Sequence, residues 1–357
     1  MQRIILEQHI RSLEKNHHLF APGTLSPFPV DRQQWGNADP VVAETVIKAA
    51  EEASVRPVPH LNASDYMNCI INGNRSVYEA VYFQRREDLV ILVLASLLNP
   101  DAEYTDQIIN LIWAICEETS WVVPAHNLGA TEEERDLLPN KHFHYIDLFA
   151  AETGAVLAWI LKLFGSRLSE TTDLITKRIE DELAERIRRP FLGREEFWWM
   201  GDGPRKKMNN WTPWIISNLL SVFLLTESNS GTLRTALIKT AKGLDLFLKG
   251  YGDDGGCDEG PSYWTHAGGT LFDCLDLLHL AGGEDLNLFK NELFRNIAAY
   301  EWKMHIADSW LVSFADSNAK LWPDPSLLNR IGILAGDNNL LELGEKMRRL
   351  GEKNTTI

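Results

Sequence analysis

The chain has 357 residues, 45% hydrophobic and 24% charged, with a formal net charge of −15. That composition excludes a disordered or fibrous chain and allows a large buried core. The acidic balance argues against nucleic acid, whose phosphates need a basic surface, yet a local basic patch can still receive an anion because salt screens charge beyond about 10 Å.

The opening "MQRIILEQHIRSLEKN" is charged and amphipathic. It lacks the apolar stretch and small-residue cleavage site of a secretory signal, so a cytoplasmic location is expected. Residues 17–40 are rich in proline, glycine and polar residues and read as an extended, surface-wrapping segment. Residues 1–40 are therefore taken as an N-terminal arm ahead of a helical domain, 41–357. From residue 41 the apolar spacing is three and four, as in "DLVILVLASLLNP", "TDQIINLIWAICEET" and "WTPWIISNLLSVFLLT". Gly, Pro, Asn or Asp bounds each segment, the chemistry of helix caps and stops. The apolar run at 89–98 is about half a membrane span, so no membrane partner is expected. Only "SWLVSFAD", 309–316, has the alternation of a strand. No glycine-rich phosphate turn follows a strand, which leaves a dinucleotide fold without support.

Ten or more consecutive helices with short connections predict an all-α fold. Antiparallel helical hairpins closing into an incomplete (α/α) toroid are expected, with no domain boundary between 60 and 325. An open helical solenoid is the alternative. Cys69, Cys116, Cys257 and Cys274 are far apart and form no CxxC pair, so free and mostly buried thiols are expected. His142 and His144 would point apart on a helix, and "DDGGCDE" misses the spacing of a calcium loop. No metal and no cofactor are expected.

Two stretches hold residues suited to chemistry. In "MNNWTPWIISN", 208–218, Asn209 and Asn210 stand at a helix start, followed by Trp211 and Trp214. Helix capping and core packing account for them without any function. Just upstream, Arg205, Lys206 and Lys207 form a basic triplet beside several aromatics, a composition that suits a carbohydrate acid. In "GYGDDGGCDEGPSYWTH", 250–266, five glycines precede Pro261, with Tyr263, Trp264 and His266 behind it. Glycine is conformationally expensive, so the shape of that turn matters.

The pair "NNW" and "DDGGCDEGPSYW", with "WVVPAH", "HYIDLFAAETGAVLAW" and "WLVSFADSNAK" around it, resembles the heparinase II/III-like polysaccharide lyases from about residue 60 to 325. The resemblance implies a helical toroid, β-elimination on an acidic polysaccharide or oligosaccharide, and a C-terminal β-sandwich with no counterpart in this chain. It implies Tyr263 as acid and base and Asn210 as the amide that neutralises the uronate carboxylate. A tyrosine suits the first role because its ordinary pKa of about 10 keeps its proton at neutral pH. An amide suits the second because it stabilises developing charge as an oxyanion site does. His266 shares the helix face of Tyr263 and is the third catalytic candidate. Asn209, Trp211, Trp214, Trp264, His126, Lys207, Arg85 and Glu259 are expected to bind substrate, and Asn210 and Tyr263 to face one cleft. Two features depart from the family. Trp211 stands where many members have histidine, and other members draw a catalytic group from the sandwich. Little lyase activity is therefore expected of the chain alone. A non-catalytic carbohydrate-binding protein is the first alternative. The second is a glycoside hydrolase using Asp254, Asp258 and Glu259.

Overall fold

The structure, a computed structural model, describes residues 5–12, 35–127, 136–201, 208–282 and 288–355. Helices dominate, and the sheet among the described residues is one antiparallel pair, His305–Ala307 with Trp310–Leu311. The fold is all-α, as the apolar period requires. Local chemistry sets the helix starts. Asp39, Asp147, Thr172, Asn229, Asn291 and Asp324 each accept a backbone N–H of the first turn with a side-chain oxygen.

The chain divides into two compact units, and the changeover falls at Arg194/Glu195. No boundary was expected there. The sequence hides it because the segment between the Arg189–Gly193 helix and the Trp198–Met200 turn has no linker composition.

The N-terminal unit holds the described residues of 35–194 together with 221–227. Its Ser76–Leu98 helix packs on Pro40–Val55, Thr105–Cys116 and Leu148–Thr171. By length and composition alone the Leu148–Thr171 helix could cross a membrane, but more than half of its apolar window is buried inside the protein. It serves here as a core helix.

The C-terminal unit holds 5–12, the described residues of 195–220, and those from 228 onward. It corrects the expectation of an extended arm over 1–40. Leu6–Ser12 is a helix with Leu6 and Ile10 buried against Ser230–Leu248. The first N–H groups of a helix have no partner of their own, and a distant residue supplies one. Asp245 accepts from Ile5, Leu6 and Glu7 at 3.0, 2.9 and 2.9 Å. At the other end of the expected arm, Pro40 already begins a helix behind its Asp39 cap. Residues 13–34 lie outside the described residues. Elsewhere in this unit the Glu292–Met304 helix packs on Pro261–Trp264, Pro325–Ala335 and Asn338–Thr355.

Candidate functional site

The helix Trp211–Thr226 begins as its sequence implies. The Asn209 side-chain oxygen accepts the Trp211 N–H at 3.1 Å, and Thr212 Oγ1 donates to the Trp199 carbonyl at 2.7 Å. Asn209 is thus the cap, and Asn210 is left to do something else. Asn210 is 6% exposed, and its Nδ2 donates to Glu259 Oε2 at 3.1 Å.

That bond ties the helix start to the glycine-rich turn, and the glycines there have a steric cause. Gly255 has φ +76°, and a β-carbon would lie 2.3 Å from the carbonyl carbon of Asn296. Gly260 has φ +90°, and a β-carbon would lie 2.7 Å from the Phe314 carbonyl oxygen. No other residue combines positive φ with such close backbone approach. The Glu292–Met304 helix then grips the turn at three points. Asn296 Nδ2 donates to the Asp253 carbonyl at 2.9 Å, Tyr300 Oη to the Cys257 carbonyl at 3.3 Å, and Trp264 Nε1 to the Ile297 carbonyl at 2.8 Å.

Pro261 opens a single helical turn, and over Thr265–Gly269 the bonding widens to the π form, a local feature frequent at functional sites. This geometry sets Tyr263 and His266 edge to face, with ring centroids 6.3 Å apart. His266 in turn stacks flat on Trp214, at 4.2 Å and 8° between planes. Burial holds the His266 imidazole below its ordinary range, so it is uncharged at neutral pH and able to accept a proton. Tyr263, Glu259, Trp211 and Trp214 are all half-buried. One side of the C-terminal unit therefore gathers an amide, a carboxylate, a phenol, an imidazole and an indole. Among the described residues no group of three or more His, Cys, Asp and Glu side chains is placed to hold a metal ion.

The other expected site residues fare differently. Trp211 packs at 5.0 Å on Trp198, beside the cluster. Lys207 lies outside the described residues, as do Arg205 and Lys206. Trp264 is corrected: it is fully buried, with its indole N–H spent on Ile297, and it anchors the turn without reaching solvent. Arg85 is corrected as well. It is buried in the N-terminal unit, where Nε and Nη2 donate to the Pro59 carbonyl and Nη1 to Glu118. A guanidinium so occupied is a structural group. His126 also belongs to the N-terminal unit. Its Nδ1 lies 2.8 Å from Oδ2 of fully buried Asp147, and its ring stacks on Phe149. That pairing fixes the ring orientation. Of the hydrolase carboxylates, Asp254 is exposed and caps its own turn through Gly256 N–H, and Asp258 is exposed.

Two features escaped the sequence reading. A cleft of about 430 Å³ opens in the N-terminal unit between Pro59, Asn62, Tyr66, Tyr78, Arg85 and Ser120. Its walls come from residues about 60 positions apart, and no local pattern marks them. Behind the Tyr263 turn, Glu301 is fully buried, and neither carboxylate oxygen has a hydrogen-bond partner among the described residues. Burial pushes its carboxyl up to about 8. This residue could have been found. It falls on the apolar stripe of Phe294, Ile297 and Ala298, where a glutamate is out of place.

Comparison with protein-family models and with curated proteins gave no match, so the functional reading rests on these residues.

Proposed function

We propose that the chain is an incomplete (α/α) toroid acting as a polysaccharide lyase on uronic-acid-containing chains. Short links between consecutive packed helices support the toroid. Leu148–Thr171 meets Asp173–Leu183 across one residue, and Pro325–Ala335 meets Asn338–Thr355 across two. The observation that carries the activity is the joining of Asn210, Tyr263 and His266 through the glycine turn.

The roles follow from the chemistry of β-elimination. The C5 proton of a uronate is weakly acidic until its carboxylate is neutralised. Asn210 carries two N–H donors, one given to Glu259, which orients the amide, and one for the sugar carboxylate. The uncharged His266 imidazole takes the C5 proton. The electron pair left behind forms the C4=C5 double bond as the C4–O bond breaks. The leaving oxygen takes the phenol proton of Tyr263, and exchange with His266 and water restores both groups. In this proposal His266 takes the role that the resemblance gives to a further domain, and turnover by the chain itself is the outcome that would support it over the expectation of little activity.

The test is a panel of alginate, hyaluronan and heparan sulfate incubated with the wild-type chain and with Asn210→Ala. A lyase yields an unsaturated, ultraviolet-absorbing product from at least one of them, and Asn210→Ala reduces it. Reducing ends without that absorbance would mean hydrolysis. Binding without either product would mean a non-catalytic carbohydrate-binding protein.

A further inference from the structure

Beyond the site itself, the segment 309–322 presents an unusual surface. Exposed tryptophans are uncommon on a folded chain unless something covers them. Here Trp310 is 47% and Trp322 49% exposed, with Val312 at 41% and Phe314 at 42%. The backbone explains the arrangement. Leu311 N–H donates to the Ala319 carbonyl, Leu321 N–H to the Ser309 carbonyl, and Val312 N–H to the Met304 carbonyl. The segment is therefore a doubled, extended ribbon. Leu311 turns inward and is buried, so Trp310 and Val312 turn outward. Trp310 pairs directly across the ribbon with Lys320, whose Nζ lies 4.6 Å from the indole centroid. Trp322 follows two residues after Lys320.

This ribbon is fastened to the Tyr263 turn. Ser262 N–H donates to Ser317 Oγ at 3.1 Å, and Asn318 N–H donates to Ser262 Oγ at 2.9 Å. Gly260 lies against Phe314, as described above. The catalytic tyrosine and the aromatic ribbon are thus parts of one bonded assembly, a single residue apart at Ser262.

We propose that the ribbon is a stacking platform for further sugar residues of the acidic chain whose scissile bond lies at Tyr263, an inference that rests on the lyase reading. Indole faces take the C–H face of a pyranose ring. Lys320 supplies the cation for a uronate carboxylate, and its exposed contact with Trp310 is weak enough for a carboxylate to draw the ammonium off the ring. The one acidic residue of the segment, Asp316, sits on its turn, six residues from Trp310 and four from Lys320 along the chain, while Asp308 and Asp324 flank the segment. A platform of this kind takes only a substrate longer than a disaccharide.

The experiment titrates the full chain with alginate, hyaluronan and heparan sulfate hexasaccharides and with the matching disaccharides, by calorimetry. The double variant Trp310→Ala/Trp322→Ala binds the preferred hexasaccharide about tenfold more weakly, while disaccharide binding is unchanged. Lys320→Gln weakens hexasaccharide binding and reduces its salt dependence. Should the double variant fold poorly, the indole N–H signals of Trp310 and Trp322 in wild-type protein shift on adding hexasaccharide. Equal hexasaccharide affinity in folded wild type and double variant, with turnover retained, would sink the platform and leave the lyase reading standing. So would a wild-type dimer that the double variant dissociates, because the face would then join two copies of the chain. Failure of wild type to bind any hexasaccharide would overturn the lyase reading itself and the platform with it.

Discussion

The two units each contain a cluster of charged and polar side chains, and the clusters differ in what they leave over. In the N-terminal unit Glu118 receives Arg85 at 3.1 Å and Arg86 at 2.8 Å. Arg86 also bonds Thr153 and the Tyr82 carbonyl and lies over the Tyr82 ring. Every one of these groups is under a tenth exposed. In the C-terminal unit one hydrogen bond joins Asn210 to Glu259 and two ring contacts link Tyr263, His266 and Trp214, and all of these but Asn210 are half-buried. A saturated, buried network specifies a fold. A loosely joined, accessible one keeps donors and acceptors for a ligand. Arg85 looked like a substrate ligand in the sequence only because its partners, Pro59 and Glu118, lie 26 and 33 residues away.

The comparison breaks most visibly at Glu118. Glu118→Ala leaves two arginines buried without their carboxylate, and a loss of about 3–5 kcal/mol is expected in chemical denaturation. A loss under about 1 kcal/mol would mean the network is ornamental. On the other side, Gly255→Ala forces a β-carbon into the Asn296 backbone at positive φ. It should cost about 2 kcal/mol or more and displace the Tyr263 turn, which loss of oligosaccharide binding would reveal.

Glu301 gives an effect that is set by pH. Its carboxyl is raised in the folded protein from 4.5 to about 8, so between those values the folded state holds a proton that the unfolded state releases. Stability therefore falls as pH rises through that window, by at most about 1.4 kcal/mol per pH unit. Glu301→Gln should abolish the slope in denaturation curves taken from pH 5 to pH 8, a range of about 3 units. An unchanged slope would place the titration elsewhere. The smallest effect is at the N-terminal helix. Asp245→Ala removes the acceptor for three N–H groups and should cost about 1–3 kcal/mol. It should also raise hydrogen exchange over residues 5–12 while leaving the Tyr263 cluster protected.

What the sequence disclosed follows the range of the interactions. The helix at Trp211 and its Asn209 cap were legible because capping acts over two residues. The importance of the glycine turn was legible because positive φ is written in glycine itself, although the surfaces that demand it, Asn296 and Phe314, lie about 40 to 60 residues downstream. Trp264 was misread because its neighbours Tyr263 and His266 face outward, and nothing local shows that its indole reaches Ile297. The N-terminal helix was hidden for the same reason, since Asp245 stands about 240 residues away.

The central claim is that Tyr263 is the acid of a β-elimination performed within the C-terminal unit. The most direct measurement is the rate of unsaturated-uronate formation by wild-type and Tyr263→Phe proteins, on the substrate for which the panel shows turnover. Removing the hydroxyl should lower the rate by about 10²–10⁴-fold, with thermal stability and oligosaccharide affinity nearly unchanged. Equal rates for the two proteins would contradict the account.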